Sequence, residues 1–139
     1  MPAVGFTGTR WGTTPLQFEA LRGVFLALQR RGYTTLHHGD CVGADSEADS
    51  VAKELGLYRV THPPENPKNR AYCVADETHP LKPYTVRDHD IVDASQILVA
   101  CSKAMHEIQR SGTWATVRYA RKQKRPVLVV WPDGTVGTL

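Results

Sequence analysis

The sequence predicts an α/β fold in which a five-stranded parallel sheet, with the strand order 3-2-1-4-5, carries helices on both faces. Three observations predict it. Short apolar runs alternate with segments whose apolar residues recur at helical spacing, glycine or proline marks most boundaries, and the strand-like runs are apolar enough for burial on both sides. Right-handed crossovers between parallel strands give the order. With 139 residues and 41% hydrophobic content, one domain is expected over residues 1–139.

Each predicted element has a local signal. The predicted strands cover residues 3–7, 33–38, 57–61, 96–101 and 126–131. Pro15 fits the first turn of the first helix and Gly32 fits its exit, while the second helix closes at Gly56. The third and fourth helices cover residues 84–94 and 112–122. Residues 62–83 are polar and contain five prolines, which predicts a long loop that is either a functional lid or disordered.

The loops after strands one and four carry the clearest functional signal. In a sheet of this order, ligands bind beyond the carboxyl ends of the strands, where the strand order reverses. The two loops there read Gly8-Thr9-Arg10 and Ser111-Gly112-Thr113, the second just before a helix. Taken singly, each glycine is explained by a tight turn and the threonine by a helix cap. Their joint placement predicts an anion site, because glycine exposes backbone N–H groups and a helix start attracts negative charge.

A third turn follows the second strand and contains Gly39, Asp40, Gly43 and Asp45. Asp45 falls in the opening turn of a helix, whose dipole stabilises a carboxylate without any ligand. Asp40 or Asp45 can equally accept hydrogen bonds from ribose hydroxyls or a base. Both interpretations stay open at this point.

Arg87 and Trp114 also have two interpretations each. Arg87 can clamp a phosphate oxygen or form an ion pair with Asp90 or Asp93. Trp114 can stack on a base, but a tryptophan at a helix start is more often a packing or subunit-contact residue. We expect a homo-oligomer, with Trp11 or Trp114 at the contact.

Composition limits the function classes. No apolar run is long enough for a bilayer crossing, and no signal segment opens the chain, so a cytoplasmic protein without membrane contact is expected. The formal charge is only +3, and the basic residues between Arg118 and Arg125 fit the last turn of a helix, so nucleic-acid binding ranks last. We predict neither a metal nor a cofactor, because the candidate ligands match no zinc spacing. These candidates are His37, His38, Cys41, Cys73, His79 and Cys101.

With these turns located, the chain resembles the SLOG superfamily of Rossmann-like proteins over nearly its whole length. That superfamily includes the lonely-guy phosphoribohydrolases, the core of DNA-processing protein A, and short bacterial and phage proteins, which match best. The resemblance rests on Gly8-Thr9-Arg10, on GDCVGAD at 39–45, on Arg87 with Ile91-Val92, and on SGTWAT at 111–116. It implies a phosphate site at Gly112 and Thr113 and a nucleotide-like ligand.

The resemblance also bears on catalysis. In the phosphoribohydrolases the corresponding segment reads P-G-G-x-G-T-x-x-E, and its glutamate helps to cleave the N-glycosidic bond. Here the glutamate position is Thr116, which cannot supply a carboxylate, although Arg87 matches the family's arginine. A relocated carboxylate would have to come from Asp40, Asp45 or Glu107.

The sequence therefore predicts a binding or sensing module for a phosphate-bearing nucleotide or nucleotide-derived molecule. An N-glycosidase acting on nucleoside monophosphates is the first alternative, and a nucleic-acid-binding protein akin to the DNA-processing core is the second. The predicted ligand-binding residues are Gly8, Thr9, Arg10, Gly39, Gly43, Asp45, Arg87, Ser111, Gly112, Thr113 and Thr116.

Overall fold

The computed structural model describes residues 2–139, which form strands and helices in alternation. The strands are β1 (Ala3–Gly8), β2 (Thr35–His38), β3 (Tyr58–Thr61), β4 (Glu77–Thr78), β5 (Ile97–Cys101), β6 (Val127–Val130) and β7 (Val136–Thr138). The helices are α1 (Pro15–Arg30), α2 (Ala44–Leu55), α3 (Tyr84–Asp93) and α4 (Gly112–Lys122), with a 3-10 turn at Pro67–Asn69. Within residues 2–139, every helix is too short or too polar to cross a bilayer.

The strands form one sheet in the order β4-β3-β2-β1-β5-β6-β7. Strand β1 pairs in parallel with β2 on one side and with β5 on the other, and β6 pairs antiparallel with β7. The predicted order 3-2-1-4-5 corresponds to β3-β2-β1-β5-β6 and is confirmed. The predicted number of five strands is wrong, because one further strand pairs at each edge of the sheet.

Both edge strands lack a sequence pattern of their own. Strand β4 has only two residues, Glu77 and Thr78, which are exposed and pair with the end of β3. Strand β7 follows a turn at Asp133 and Gly134 and pairs back onto β6. Such short polar pairings form because a neighbouring strand offers free backbone groups, so apolar periodicity cannot reveal them.

The helices cover both faces of the sheet. Helices α1 and α2 share one apolar core with the sheet, in which the rings of Phe6 and Phe25 meet edge to face with centroids 6.1 Å apart. Helices α3 and α4 share a second core, which includes Val92 and Val117 packed with Leu98 on β5. This two-sided burial is what the apolar strands predicted.

Local signals fix where α1 begins and where it lies. Thr14 and Gln17 form a reciprocal capping box, with Pro15 at the first helical position. The buried amide of Gln17 also donates to the carbonyl oxygens of Ser102 and Val130, each at 2.8 Å. These bonds hold the start of α1 against the ends of β5 and β6, at the carboxyl edge of the sheet.

Candidate functional site

A cleft of about 720 Å³ lies at the carboxyl edge of the sheet, where β1, β2 and β5 end. This volume falls within the usual range of small-molecule sites. The turns 8–10 and 111–113, which the sequence placed at the reversal of strand order, border this one cleft. The predicted residues that line it are Gly8, Thr9, Arg10, Gly39, Asp45, Arg87, Ser111, Gly112 and Thr113.

The start of α4 offers free backbone donors to this cleft. The Ser111 hydroxyl caps the N–H of Trp114 at 3.3 Å, whereas the N–H groups of Gly112 and Thr113 have no acceptor within residues 2–139. A Cβ atom built on Gly112 would meet nothing within 4 Å. An anion can therefore approach this backbone closely, with the helix dipole in its favour.

Four cationic side chains line the cleft without any carboxylate partner. Arg10, Lys68, Lys103 and Arg110 form no ion pair with any group in the part of the chain that the structure describes. Two of them, Arg10 and Lys103, lie 5.1 and 5.0 Å from the ring centroid of the exposed Trp11. Unpaired cations gathered around free N–H groups make the cleft electropositive.

Arg87 is buried against the cleft and is largely committed to protein groups. Its Nε donates to Asp88, its Nη1 donates to the carbonyl oxygens of Gly39 and His62, and its Nη2 lies 3.4 Å from the Cys41 sulfur. The predicted ion pair with a neighbouring acid is present, although the partner is the adjacent Asp88 and not Asp90 or Asp93.

Four of the five guanidinium N–H groups of Arg87 are thereby used, which leaves one for a ligand. Gly39 is required for this packing, because a Cβ atom there would lie 2.5 Å from Nη1 of Arg87. Arg87 therefore ties α3 to the turn after β2 and shapes the cleft.

Asp45 lies in the cleft with only 5% of its surface exposed. Its Oδ2 atom accepts the Cys41 N–H at 3.2 Å. Its Oδ1 atom has no hydrogen-bond partner within residues 2–139 and remains accessible to solvent. Burial raises the pKa of this carboxyl. One oxygen of Asp45 is therefore available to a ligand.

Asp40 does not line the cleft, which corrects its prediction as a catalytic candidate. It is fully buried, with φ +54, and its carboxylate accepts the Arg70 Nε–H at 2.9 Å and the Cys73 N–H at 2.8 Å. Its carbonyl oxygen also accepts the Ala71 N–H.

Asp40 thus anchors residues 66–73, which we term the strap. The strap contributes Asn66, Lys68 and Asn69 to the cleft, so part of the proline-rich loop is ordered against it.

Three further predicted residues lie outside the cleft lining. Glu107 is exposed and pairs with Arg118 at 2.7 Å, so it is not a cleft carboxylate. Gly43 has φ +89 and leaves no room for a Cβ atom, which would lie 2.3 Å from the Arg10 carbonyl oxygen. Thr116 is buried and its hydroxyl donates to the Gly112 carbonyl at 2.9 Å, while it also contacts the Asp88 carboxylate.

The packing interpretation of Trp114 is confirmed, whereas Trp11, expected only as a possible subunit contact, borders the cleft. Trp114 is 3% exposed and its Nε1 donates to the Ser102 hydroxyl at 3.2 Å, so it packs inside the domain and cannot be a subunit contact. Trp11 is 68% exposed and lines the cleft.

The sequence analysis missed Lys103 and Arg110 as cleft residues, although both lie in the loop that follows β5 and their position there was a usable signal. Lys68 had no such sequence signal, because nothing in the sequence places the strap over the cleft.

His38, Asp49 and Cys73 form a cluster in which donor atoms suited to a metal lie close together. The Nδ1 atom of His38 accepts the Asp40 N–H at 3.0 Å, so by the hydrogen-bond pattern Nε2 carries the proton and donates to Asp49 at 2.9 Å. Burial, followed by Asp49, raises the pKa of Cys73 to about 12. The histidine lone pair is used and the thiol is protonated, so these groups serve internal hydrogen bonds.

The fold and the cleft define a Rossmann-like domain with a ligand-binding edge. No protein-family model matches the sequence, and no curated protein sequence matches it. Solved structures do match. The molybdenum cofactor binding protein of the phototrophic bacterium Rippkaea orientalis aligns with 94% of this chain and 76% of its own, at 22% identity and a TM-score of 0.73.

Two further structures extend this likeness. The Moco carrier protein of Chlamydomonas reinhardtii aligns with 92% of this chain and 75% of its own, at 24% identity and a TM-score of 0.69. DNA processing protein A of Streptococcus pneumoniae aligns with 93% of this chain, at 16% identity and a TM-score of 0.69, and this chain spans half of its length. The chain shares the Rossmann-like fold of these solved structures, which agrees with the fold that its motifs predicted.

Proposed function

We propose that this protein binds a phosphate-bearing nucleotide or nucleotide-derived small molecule in the cleft, as a binding or sensing module. One observation carries the proposal: the unpaired cations Arg10, Lys68, Lys103 and Arg110 surround a cleft that also receives the free N–H groups of α4. Unpaired cations on one cleft repel one another, and an anionic ligand relieves that repulsion.

The size of the cleft and the solved structures support a ligand larger than an inorganic ion. About 720 Å³ accommodates a heterocycle and a sugar beside a phosphate group. Two structures of the same fold belong to proteins that bind or carry the molybdenum cofactor, which is a phosphate-bearing pterin. A phosphate attached to a heteroaromatic ring system is the chemistry that a nucleotide shares with such a cofactor.

Isothermal titration calorimetry of the purified chain tests this proposal. The panel is AMP, ADP-ribose, NAD and cyclic AMP, with a phosphate-bearing pterin to represent the second ligand class. We expect saturable binding of at least one of these molecules, weakened by salt because the contacts are ionic. A folded protein that binds none of them would overturn the proposal.

N-glycosidase activity on nucleoside monophosphates is the second candidate, favoured by two carboxyl groups on the cleft. Asp45 keeps a free oxygen there, and Asp88 lies beside Thr116, at the position of the glutamate in the related hydrolases. Burial raises the pKa of both carboxyls, which suits a general acid that protonates a leaving base.

Chromatography of AMP incubated with the protein distinguishes the two functions. A binding module returns intact AMP, whereas a hydrolase adds water across the C1′–N bond and releases adenine and ribose 5-phosphate. If activity exists, we expect Asp45→Asn or Asp88→Asn to lower the rate at least a hundredfold. Full activity in both variants would remove this mechanism.

A further inference from the structure

The cleft has two chemically different ends. Strand β1 lies between β2 and β5, and neighbouring strands are about 4.8 Å apart, so the ends of β2 and β5 are separated by about 10 Å. The β5 end holds Lys103, Arg110 and the start of α4. The β2 end holds Asp45 and the strap. A phosphate group at the β5 end leaves the other end to a different part of the ligand.

The free oxygen of Asp45 determines what that part must be. The side chain is nine-tenths buried, one oxygen is bonded to the Cys41 N–H, and the other has no donor within the described residues 2–139. This oxygen is open to the cleft and to solvent, so a ligand that enters must offer it a hydrogen-bond donor in place of water. A second phosphate would have no proton to offer and would be repelled.

The strap covers this end of the cleft in a fixed position. The Asn69 carbonyl accepts the Val42 N–H at 2.8 Å, and Arg70 and Cys73 are bonded to the Asp40 carboxylate. The side chain of Asn66 caps the 3-10 turn through its oxygen, which leaves its amide N–H groups available. Asn66 and Lys68 of the strap line the same cleft as Asp45. Lys68 is a cation, so it is the Asp45 carboxyl, and not the strap, that favours a hydroxyl or amino group over a second anion at its own position.

We propose that Asp45, covered by Asn66 and Asn69 of the strap, forms a second subsite that recognises the uncharged, hydrogen-donating part of the ligand, either a sugar diol or an amino-substituted heterocycle. This inference rests on the proposed function, because it presumes a phosphate at the β5 end. It makes Asp45 a specificity-determining residue and explains why the cleft is wider than an anion site requires.

Calorimetry with probes that differ in one part tests the subsite. The probes are inorganic phosphate, ribose 5-phosphate, AMP and 2′,3′-dideoxy-AMP. We expect the unsubstituted protein to bind AMP at least tenfold more tightly than inorganic phosphate. Binding of ribose 5-phosphate as tight as that of AMP identifies the diol as the recognised group, and equally tight binding of dideoxy-AMP identifies the heterocycle.

Asp45→Asn replaces the free carboxyl oxygen with an amide while keeping the size of the side chain. We expect it to weaken AMP binding at least tenfold and to leave inorganic phosphate binding unchanged within twofold. The matched control is Glu19→Gln, which makes the same charge change at an exposed position on α1 and should alter neither affinity. Equal losses for AMP and phosphate, or no loss for AMP, would overturn the inference.

If Asp45→Asn fails to fold, the affinities of the unsubstituted protein for AMP and for inorganic phosphate test the second subsite. Equal affinities for AMP and inorganic phosphate would show that no second subsite exists, while the anion site proposed above would stand. Absence of binding by every probe, inorganic phosphate included, would overturn the proposed function itself.

Discussion

The carboxylate of Asp40 accepts the Nε–H of Arg70 at 2.9 Å, which joins the turn after β2 to a residue thirty positions later in the chain. The carboxylate is buried and the guanidinium is mostly so. This pair, with the Cys73 N–H, closes the strap over one end of the cleft. A buried acid that seemed suited to catalysis in the sequence instead shapes the site.

Removal of the Asp40 carboxylate should release the strap. We expect Asp40→Ala to lower the free energy of unfolding by about 2–4 kcal/mol, since it leaves Arg70 and an N–H group without their acceptor. Asp40→Asn is the control, because asparagine tolerates the positive φ and keeps one acceptor oxygen. Urea unfolding measures the loss, and limited proteolysis should cut within residues 66–73 in the alanine variant first. Equal resistance of this segment in both variants would show that Asp40 is not its anchor.

Substitution by alanine should lower the stability of the protein at Gly43 and leave it nearly unchanged at Gly112. In Gly43→Ala the new methyl group would lie 2.3 Å from the Arg10 carbonyl oxygen, at φ +89, so we expect a loss of about 3 kcal/mol or more in stability. In Gly112→Ala nothing lies within 4 Å, so stability should stay within about 1 kcal/mol of the unsubstituted protein.

Ligand affinity separates their roles further. Gly112→Ala should fold normally and still bind AMP at least tenfold more weakly, because the methyl group occupies the approach to the α4 backbone. Thermal unfolding and calorimetry on the same samples provide both measurements. Unchanged affinity in folded Gly112→Ala would place the phosphate away from this helix.

Arg110 and Arg121 offer a matched test of the electropositive cleft. Arg110 lines the cleft just before α4, whereas Arg121 is exposed in the last turn of that helix, about 15 Å away along the axis. We expect Arg110→Gln to weaken AMP binding about tenfold at low salt and to reduce its salt dependence, since an ionic contact is lost. Arg121→Gln should have no effect. Equal effects of both changes would mean that only net charge matters.

Patterns local in sequence predicted the core of the fold. Helix α4 covers 112–122 as predicted, because Ser111 and Gly112 give a clear start, and α2 ends at the left-handed Gly56. Strands β4 and β7 were missed because their pairing depends on neighbours. The turns that border the cleft follow from strand order and loop sequence together.

Side-chain partners were less predictable than backbone elements. Arg87 pairs with its neighbour Asp88 while its guanidinium packs against Gly39, a combination that depends on the tertiary fold. Trp114 faces the interior, which depends on how α4 rotates against the sheet. The strap reaches the cleft through Asp40, a contact that no spacing in the sequence could indicate.

Three histidine rings pack together at the end of β2, and two of them are held neutral. The Nδ1 atom of His37 lies 2.8 Å from Nε2 of His62, and the ring of His62 stacks on that of His79 at 4.2 Å. Burial, followed by His79, lowers the pKa of His37 to about 4 and that of His62 to about 3. The titratable and charged groups that face these rings are His38, His79, Glu77 and Arg87.

Stability should therefore fall as the pH drops below 6.5. Unfolding returns His62 to its ordinary pKa near 6.5, so between pH 6.5 and the lowered value the unfolded chain binds more protons and is favoured. The stability that neutral His62 contributes is fully present above pH 6.5. At pH 5 about 2 kcal/mol of it is lost. Urea unfolding at pH 7, 6 and 5 measures it. His62→Asn should remove the share of this dependence that comes from His62 and leave the share that comes from His37, whereas His106→Gln, an exposed histidine, should leave the dependence intact. An unchanged slope in His62→Asn would show that this ring is not the group that titrates.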